Sequence, residues 1–359
     1  MSNYFSLLIF IIIRCSFVNA VLDQSNLQMI SVLFRHGDRE INPTQRGALT
    51  NVGRLRAYHL GEILRAKYGD FLGDIYDPKA VSAYSTEYDR AKMSLQLLLA
   101  SLYMPHTRQR WHKSLAWQPI PHFYKTRDQD ILLFPRYCPR FFKELEKAKS
   151  SPEYQKLLEP FRDLMEYLEF FTGKEIKESF DMFLLYHSLK AMHSMNETLP
   201  QWAENYFPNG LLLNGTFLEY HAMKFNDWMR KINGGTYLRK TIDDMLSKVN
   251  NSMGNQAKVY LYSSHELIIT AVLQSLNIWT PHVPEYTSAI ILELLKESED
   301  YFVKVLYHKG IPATTTEMQI PGCSNPCPLE LFIDSVSDQL PDYDEIICDD
   351  DEPMTLRGN

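Results

Sequence analysis

The chain has few cysteines, no excess of basic residues and only one long apolar run. Its 359 residues include five cysteines, 37 lysines and arginines, and 44 aspartates and glutamates, for a formal charge of −7. An acidic balance argues against a nucleic-acid partner, which needs a basic face. Attraction for a small anion must then be local rather than global. The apolar run, Phe5 to Ile13, is far shorter than the ~20 residues of a membrane-spanning helix. No second stretch of spanning length follows, so no transmembrane anchor is expected. No internal repeat or low-complexity linker divides the chain.

The apolar run and the small residues of Val18-Asn19-Ala20 read as a signal peptide over residues 1–20. No basic residue precedes the run and Arg14 follows it directly, which is atypical. Removing that leader takes away Arg14 and Cys15 and leaves a charge of −8. Cys138, Cys323, Cys327 and Cys348 remain, and four cysteines allow three pairings. An extracellular address favours disulfides over a zinc site. Asn196, Asn214 and Asn250 begin glycosylation sequons, which belong on the surface of a secreted protein. The acidic run after Cys348 reads as a solvated tail.

What is present in strength is a set of strand–turn–helix junctions. Met29-Ile30-Ser31-Val32-Leu33-Phe34 reads as a buried strand and runs into Arg35-His36-Gly37-Asp38-Arg39. Two guanidiniums can fork onto one phosphoryl group. The imidazole between them is discouraged from protonating by their charge. Val81–Tyr84 is a second strand, and Ser85 to Arg90 opens a helix reaching about Tyr103. Thr86 and Asp89 have capping-box spacing there, and Arg90 falls in the first turn, where free N–H groups suit an anion. Val259–Tyr262 is a third strand, leading through His265-Glu266 into the apolar helix Leu267–Leu276. If these strands are parallel in one sheet, all three junctions face its carboxyl edge, where ligands bind.

These motifs resemble the histidine acid phosphatases, in their secreted animal branch of prostatic, lysosomal and insect venom acid phosphatases. The resemblance rests on Phe34-Arg35-His36-Gly37-Asp38-Arg39, Leu49-Thr50-x-x-Gly53 and Asp89-Arg90-x-x-Met93-Ser94. Trp117-Gln118-Pro119-Ile120-Pro121, Leu199-Pro200-x-Trp202 and Pro321-Gly322-Cys323-x-x-x-Cys327-Pro328-Leu329 extend it over nearly the whole chain after the leader. One departure stands out: the family's second signature is usually His-Asp, and this chain has His265-Glu266. Glutamate is longer by one C–C bond, about 1.5 Å. A misplacement of that order costs on the order of a hundredfold in rate unless the site adjusts.

The resemblance implies phosphomonoester hydrolysis in two steps. His36 attacks phosphorus and becomes a phosphohistidine. Arg35, Arg39, Arg90 and His265 hold the phosphoryl oxygens. Glu266 protonates the leaving oxygen. No metal and no cofactor are expected, because guanidiniums do the charge work. Turnover should then fall as pH rises through the pKa of Glu266. Each residue also has a plainer reading. Arg39 could pair with Asp38, Arg90 with Glu87, and His265 could be a capped core histidine. Glu266 could be a favoured helix-start carboxylate. His187 and His193 read as surface or core residues. A zinc helix starting at His265 needs a histidine at 269, where isoleucine stands. The alternative function is a catalytically weak relative that binds small ligands. A phosphate mutase of the wider fold group fits a leader, sequons and disulfides poorly.

The resemblance also favours the pairs Cys138–Cys348 and Cys323–Cys327. It implies a secreted protein, or a lysosomal one. The fold class expected is α/β, a mainly parallel sheet flanked by helices, of histidine phosphatase type. Its catalytic domain takes residues 21–125 and 235–359, interrupted by a helical cap at 126–234. Amphipathic stretches at Arg140–Lys149, Tyr154–Phe171 and Phe217–Lys231 mark the cap. Ala289–Leu294 and Tyr301–Tyr307 read as a hairpin at the sheet edge. Since some relatives dimerise through a sheet edge, that hairpin is the contact expected for a homodimer. The substrate is a small phosphomonoester whose identity the sequence leaves open.

Overall fold

The run Met29 to Phe34 has no polar face because both its faces are covered. The computed structural model describes residues 26–41, 47–251 and 257–348, and places this run in strand β1, Leu27–Arg35. Alternate side chains of a strand point to opposite faces. Met29 and Leu33 pack with Tyr237, Ile269 and Val272 on one face. Ile30, Val32 and Phe34 pack with Leu60, Leu64 and Leu98 on the other. The leader expected at residues 1–20 lies outside the described residues.

The sheet continues with β2 (Val81–Ser85), β3 (Phe123–Tyr124), β4 (Val259–Ser264), β5 (Ala289–Glu297), β6 (Asp300–His308), β7 (Thr315–Met318) and β8 (Cys327–Pro328). Their order is β3-β2-β4-β1-β5-β6-β7, with β8 also paired to β6. The first four in that order are parallel. From β5 onward every pairing is antiparallel. The α/β class is as expected, but the sheet is mixed rather than mainly parallel. The change begins at β5, which runs antiparallel to β1, and the tight turn at Ser298, φ 55°, then folds β6 straight back as a hairpin, without a crossover. The hairpin is also internal, with β5 against β1 and β6 covered by β7 and β8. It therefore offers no free edge for the homodimer contact expected of it.

Helices α1 (Asn51–Leu72) and α2 (Asp89–Leu102) cover one face of the sheet. Helices α9 (Thr236–Val249), α10 (Glu266–Ser275) and α11 (Leu329–Val336) cover the other. Between residues 126 and 234 the described α-helices and strands are all helices: α3 (Pro139–Ser150), α4 (Pro152–Leu158), α5 (Arg162–Thr172), α6 (Ser179–Ser194), α7 (Leu211–Ala222) and α8 (Asp227–Arg230). The helix expected over Tyr154–Phe171 is broken at Pro160, inside a 3-10 turn at Glu159–Phe161. Proline lacks the N–H and clashes with the preceding turn. The stretch Phe217–Lys231 is likewise divided, since α7 ends at Ala222.

A π-helical turn, Lys231–Gly235, joins α8 to α9. Gly234 has φ +99°, and a Cβ there would sit 2.7 Å from the carbonyl carbon of Ala271. That close approach seats the turn on α10, the helix that begins with Glu266. Cys138 bonds Cys348, and Cys323 bonds Cys327. Asn196, Asn214 and Asn250 are all exposed. Ser252, the last residue of the third sequon, lies outside the described residues.

Candidate active site

The three expected junctions meet at one edge of the sheet. β1 and β4 end level, with Arg35 opposite Ser264, and Ser85 of β2 lies opposite Ser263. Backbone bonds extend past the strands, from His36 N–H to Ser264 O (3.1 Å) and from Thr86 N–H to Ser263 O (3.1 Å). The loop after β1 is pressed onto the start of α1 at two glycines. A Cβ on Gly37 would lie 2.2 Å from Gly53 O, and one on Gly53 would lie 2.3 Å from Asp38 O. Gly37 N–H donates to Ser94 Oγ (3.0 Å), one turn after Arg90 on α2. Thr50 caps α1 by accepting from Gly53 N–H (2.9 Å).

His36 is buried, with Nδ1 2.7 Å from its neighbour's carbonyl, Gly37 O. That bond fixes Nδ1 as the protonated nitrogen and leaves Nε2 with a lone pair. Arg90 Nε–H donates to that lone pair at 3.0 Å. Burial lowers the His36 pKa well below the ordinary value, and Arg90, His265 and Arg35 lower it further. The ring is thus a neutral nucleophile even in acid. Burial and Arg39 in turn bring Arg90 down to about 10, so it stays charged at working pH. Its guanidinium lies over the Tyr88 ring, 4.3 Å from the centroid.

Glu266 opens α10, buried, between two partners. Arg35 Nε is 3.1 Å from Oε2, and His187 Nε2 is 3.4 Å from Oε1. Burial alone would raise the carboxyl pKa, but Arg35, then His187 and His265, outweigh it, and the net is well below the carboxylate range. Glu266 is therefore ionised. Arg35 is held by donating to Pro284 O (2.6 Å) and by the Tyr286 ring, 4.1 Å from its guanidinium carbon. His265 occupies the N-cap position of α10, and its Nε2 is 3.0 Å from Thr86 Oγ1. Burial, followed by Arg90, keeps His265 neutral.

These groups line a cavity of about 250 Å³ together with Arg39, Tyr88, Phe134, Arg136, Tyr137, Phe180, Phe183, Leu184 and His187. Every expected phosphate contact, Arg35, Arg39, Arg90 and His265, faces this space beside His36 and Glu266. The plainer pairings do not form. Asp38 pairs with Arg56 (2.8 Å) and Glu87 with Arg127 (3.2 Å). Thr86 does not cap α2. That helix starts at Asp89 after Tyr88, without a side-chain cap, because the Thr86 hydroxyl faces His265 instead. Among the described residues no cluster of histidine, cysteine, aspartate and glutamate is placed to hold a metal ion.

His187, expected to be a surface or satisfied core histidine, has its ring buried but without a hydrogen-bond partner, and it faces Glu266 from the middle of α6. Its only sequence signal is a titratable group set in the apolar stretch Phe183-Leu184-Leu185-Tyr186. His193, treated alike, is exposed.

The chain matches the family model for the histidine phosphatase superfamily (branch 2) over residues 41–308. It is 40% identical to venom acid phosphatase Acph-1 of Apis mellifera over 343 residues, 91% of this chain and 88% of that one. It is 30% identical to prostatic acid phosphatase of Homo sapiens over 333 residues, 88% of this chain and 86% of that one. Among solved structures, Hafnia alvei phytase in complex with myo-inositol hexakis sulphate superposes with a TM-score of 0.62 at 17% identity. That match covers 88% of this chain and 97% of that one. At that identity the likeness speaks for the fold alone.

Proposed function

The chain belongs to the histidine phosphatase superfamily (branch 2) and is an acid phosphatase, and from that premise we propose that it hydrolyses phosphomonoesters through a phosphohistidine on His36, with Glu266 as proton donor. The observation that carries this reading is the state of His36. It is neutral, the lone pair on its Nε2 is covered by the Arg90 N–H alone, and it lines a cavity together with Arg35, Arg39 and Arg90. In the first step Nε2 attacks phosphorus, the P–O bond to the leaving group breaks, and the proton on Glu266 goes to the departing oxygen. In the second step water attacks the phosphohistidine, returns a proton to Glu266 and frees phosphate. Arg35, Arg39, Arg90 and His265 stabilise the charge on the transferring group. Arg90 must leave the His36 lone pair when a phosphoryl oxygen arrives to accept its N–H.

The ionised Glu266 changes the expected pH dependence. A carboxyl held well below its usual range chiefly by Arg35 carries no proton in the free enzyme at pH 5. The proton arrives with the substrate, as the monoanion of the ester. Phosphate esters lose that proton near pH 6. Turnover should therefore fall as pH rises through the second pKa of the ester, rather than through that of free Glu266.

Residues 126–234 act in this reading as a cap, because Arg136, Tyr137, Phe180, Phe183, Leu184 and His187 close one side of the cavity. The chain is a secreted or lysosomal glycoprotein. The two disulfides suit an oxidising compartment, and the three sequon asparagines are exposed. No helix among the described residues is long and apolar enough to cross a membrane. The alternative, a slow relative that binds ligands, draws on the same Glu266, which is tied to Arg35.

Hydrolysis of para-nitrophenyl phosphate from pH 4 to 8 separates the two. Activity with an acidic optimum, lost in His36→Ala, supports the phosphatase and its nucleophile. Negligible activity in the parent, restored by Glu266→Asp, supports the binding role instead.

A further inference from the structure

His187 is buried in the middle of α6, yet neither ring nitrogen has a hydrogen-bond partner. Its Nε2 faces Glu266 Oε1 across 3.4 Å. Its backbone oxygen accepts from Arg39 at 3.4 Å. A single residue of the helical segment thus touches the loop after β1 and the start of α10 together. The ring itself is wedged edge-on against Phe183, 4.4 Å between centroids, with Tyr186 5.7 Å away. The charged groups around it are Glu266, Arg35, Arg39 and Lys190. Burial, aided by the three cations, lowers its pKa to about 3, so at working pH the contact is a neutral ring against a carboxylate.

A neutral imidazole has one N–H. Placed on Nε2, that proton points at Oε1, whereas the other tautomer would set a lone pair against the carboxylate. Leaving a buried polar atom unpaired is costly, which favours the tautomer that meets the carboxylate. Apo contacts of catalytic groups are often long and tighten with substrate, and 3.4 Å closes to a hydrogen bond with a small shift. Glutamate has one more rotatable bond than the usual aspartate, so Arg35 on Oε2 alone leaves its carboxyl free to swing.

We propose that His187 is a positioning residue for Glu266: its Nε2–H holds Oε1 while Arg35 holds Oε2, which fixes the longer carboxyl at the height of the leaving oxygen. The proposal rests on the reading of Glu266 as proton donor. It assigns the segment 126–234 a part in proton delivery as well as in closing the cavity.

The test compares an ester that needs the proton with one that does not. Para-nitrophenolate departs readily unprotonated, whereas the alkoxide of β-glycerophosphate does not. His187→Phe keeps the ring volume and removes the N–H. It should lower kcat about tenfold on β-glycerophosphate and less than threefold on para-nitrophenyl phosphate, with KM within about twofold on both. His187→Gln, whose amide can donate, should recover most of the loss. In a Glu266→Gln background His187→Phe should do nothing further. Equal losses on both esters, additivity with Glu266→Gln, or no loss at all would overturn the proposal. Should Glu266→Gln match the parent on both esters, the proton-donor reading itself has failed. If His187→Phe does not fold, the tautomer of His187 in the parent protein decides, read by nitrogen-15 NMR. The Nε2–H form upholds the proposal and the Nδ1–H form overturns it.

Discussion

Arg90 does two opposed things to His36. Its Nε–H covers the nitrogen that must attack, and its charge keeps that nitrogen unprotonated. Removing it should therefore separate binding from protonation. In Arg90→Ala the His36 pKa rises, because a positive neighbour that depressed it is gone. The protonated, non-attacking form then persists to higher pH, so the acid limb of kcat/KM for para-nitrophenyl phosphate should move upward. KM should rise at least tenfold with the loss of a charged phosphoryl contact. Arg90→Lys keeps the charge and should leave the acid limb near its parental position. A second prediction concerns the alkaline limb. It should track the second pKa of the ester, lying at lower pH for an aryl phosphate than for an alkyl one. A limb at one pH for all esters would place the titrating group on the enzyme. At this scale the sequence revealed the reacting set and hid its partners. His36, Arg35, Arg39 and Arg90 are legible from local spacing. The grip of Arg35 and His187 on Glu266 is not, because it joins residues on three separate elements. Thr86 shows the limit of local rules: its spacing to Asp89 suggested a helix cap, and a tertiary neighbour, His265, faces the hydroxyl instead.

The element that sets the position of His36 is the crossing between its loop and α1. Gly37 and Gly53 meet there with no room for a Cβ on either. Gly53→Ala should destabilise the fold by about 1–3 kcal/mol through overpacking. It should also lower kcat, since backbone displaced here carries His36 with it. Gly69, in the same helix, faces open space: a Cβ there would meet nothing within 4 Å. Gly69→Ala should be neutral or more stable by roughly 0.5–1 kcal/mol. Urea midpoints of the two variants, read beside their turnover, check the pair. Helices are where sequence reading was weakest. Their existence in 126–234 was legible from amphipathic spacing, but their boundaries moved, at Pro160 and again where α7 ends at Ala222 and α8 restarts at Asp227. α6 escaped that reading because its apolar residues run round the helix, with Met182, Phe183, Tyr186 and Leu189 buried on one face and Leu184 exposed on another.

For the molecule as a whole, the parallel half of the sheet was legible because buried strands read as unbroken apolar runs. Of the antiparallel half the β5–β6 hairpin was legible from its two apolar runs about a polar turn, whereas short polar strands such as Thr315–Met318 carry no such signal. The two disulfides should differ in what they contribute. The cross-link between Cys138 and Cys348 spans 210 residues, and that between Cys323 and Cys327 spans four. Chain-entropy reasoning gives about 5 kcal/mol for the long loop and about 2 kcal/mol for the short one. Paired alanine replacements, compared by urea midpoint under non-reducing conditions, should fall in that order. The long bridge has a consequence for proteolysis. A protease that cuts once between residues 139 and 347 severs the backbone but frees no fragment. Such a nicked molecule would run as one band on a non-reducing gel and as two after reduction, with the walls of its cavity still tied together.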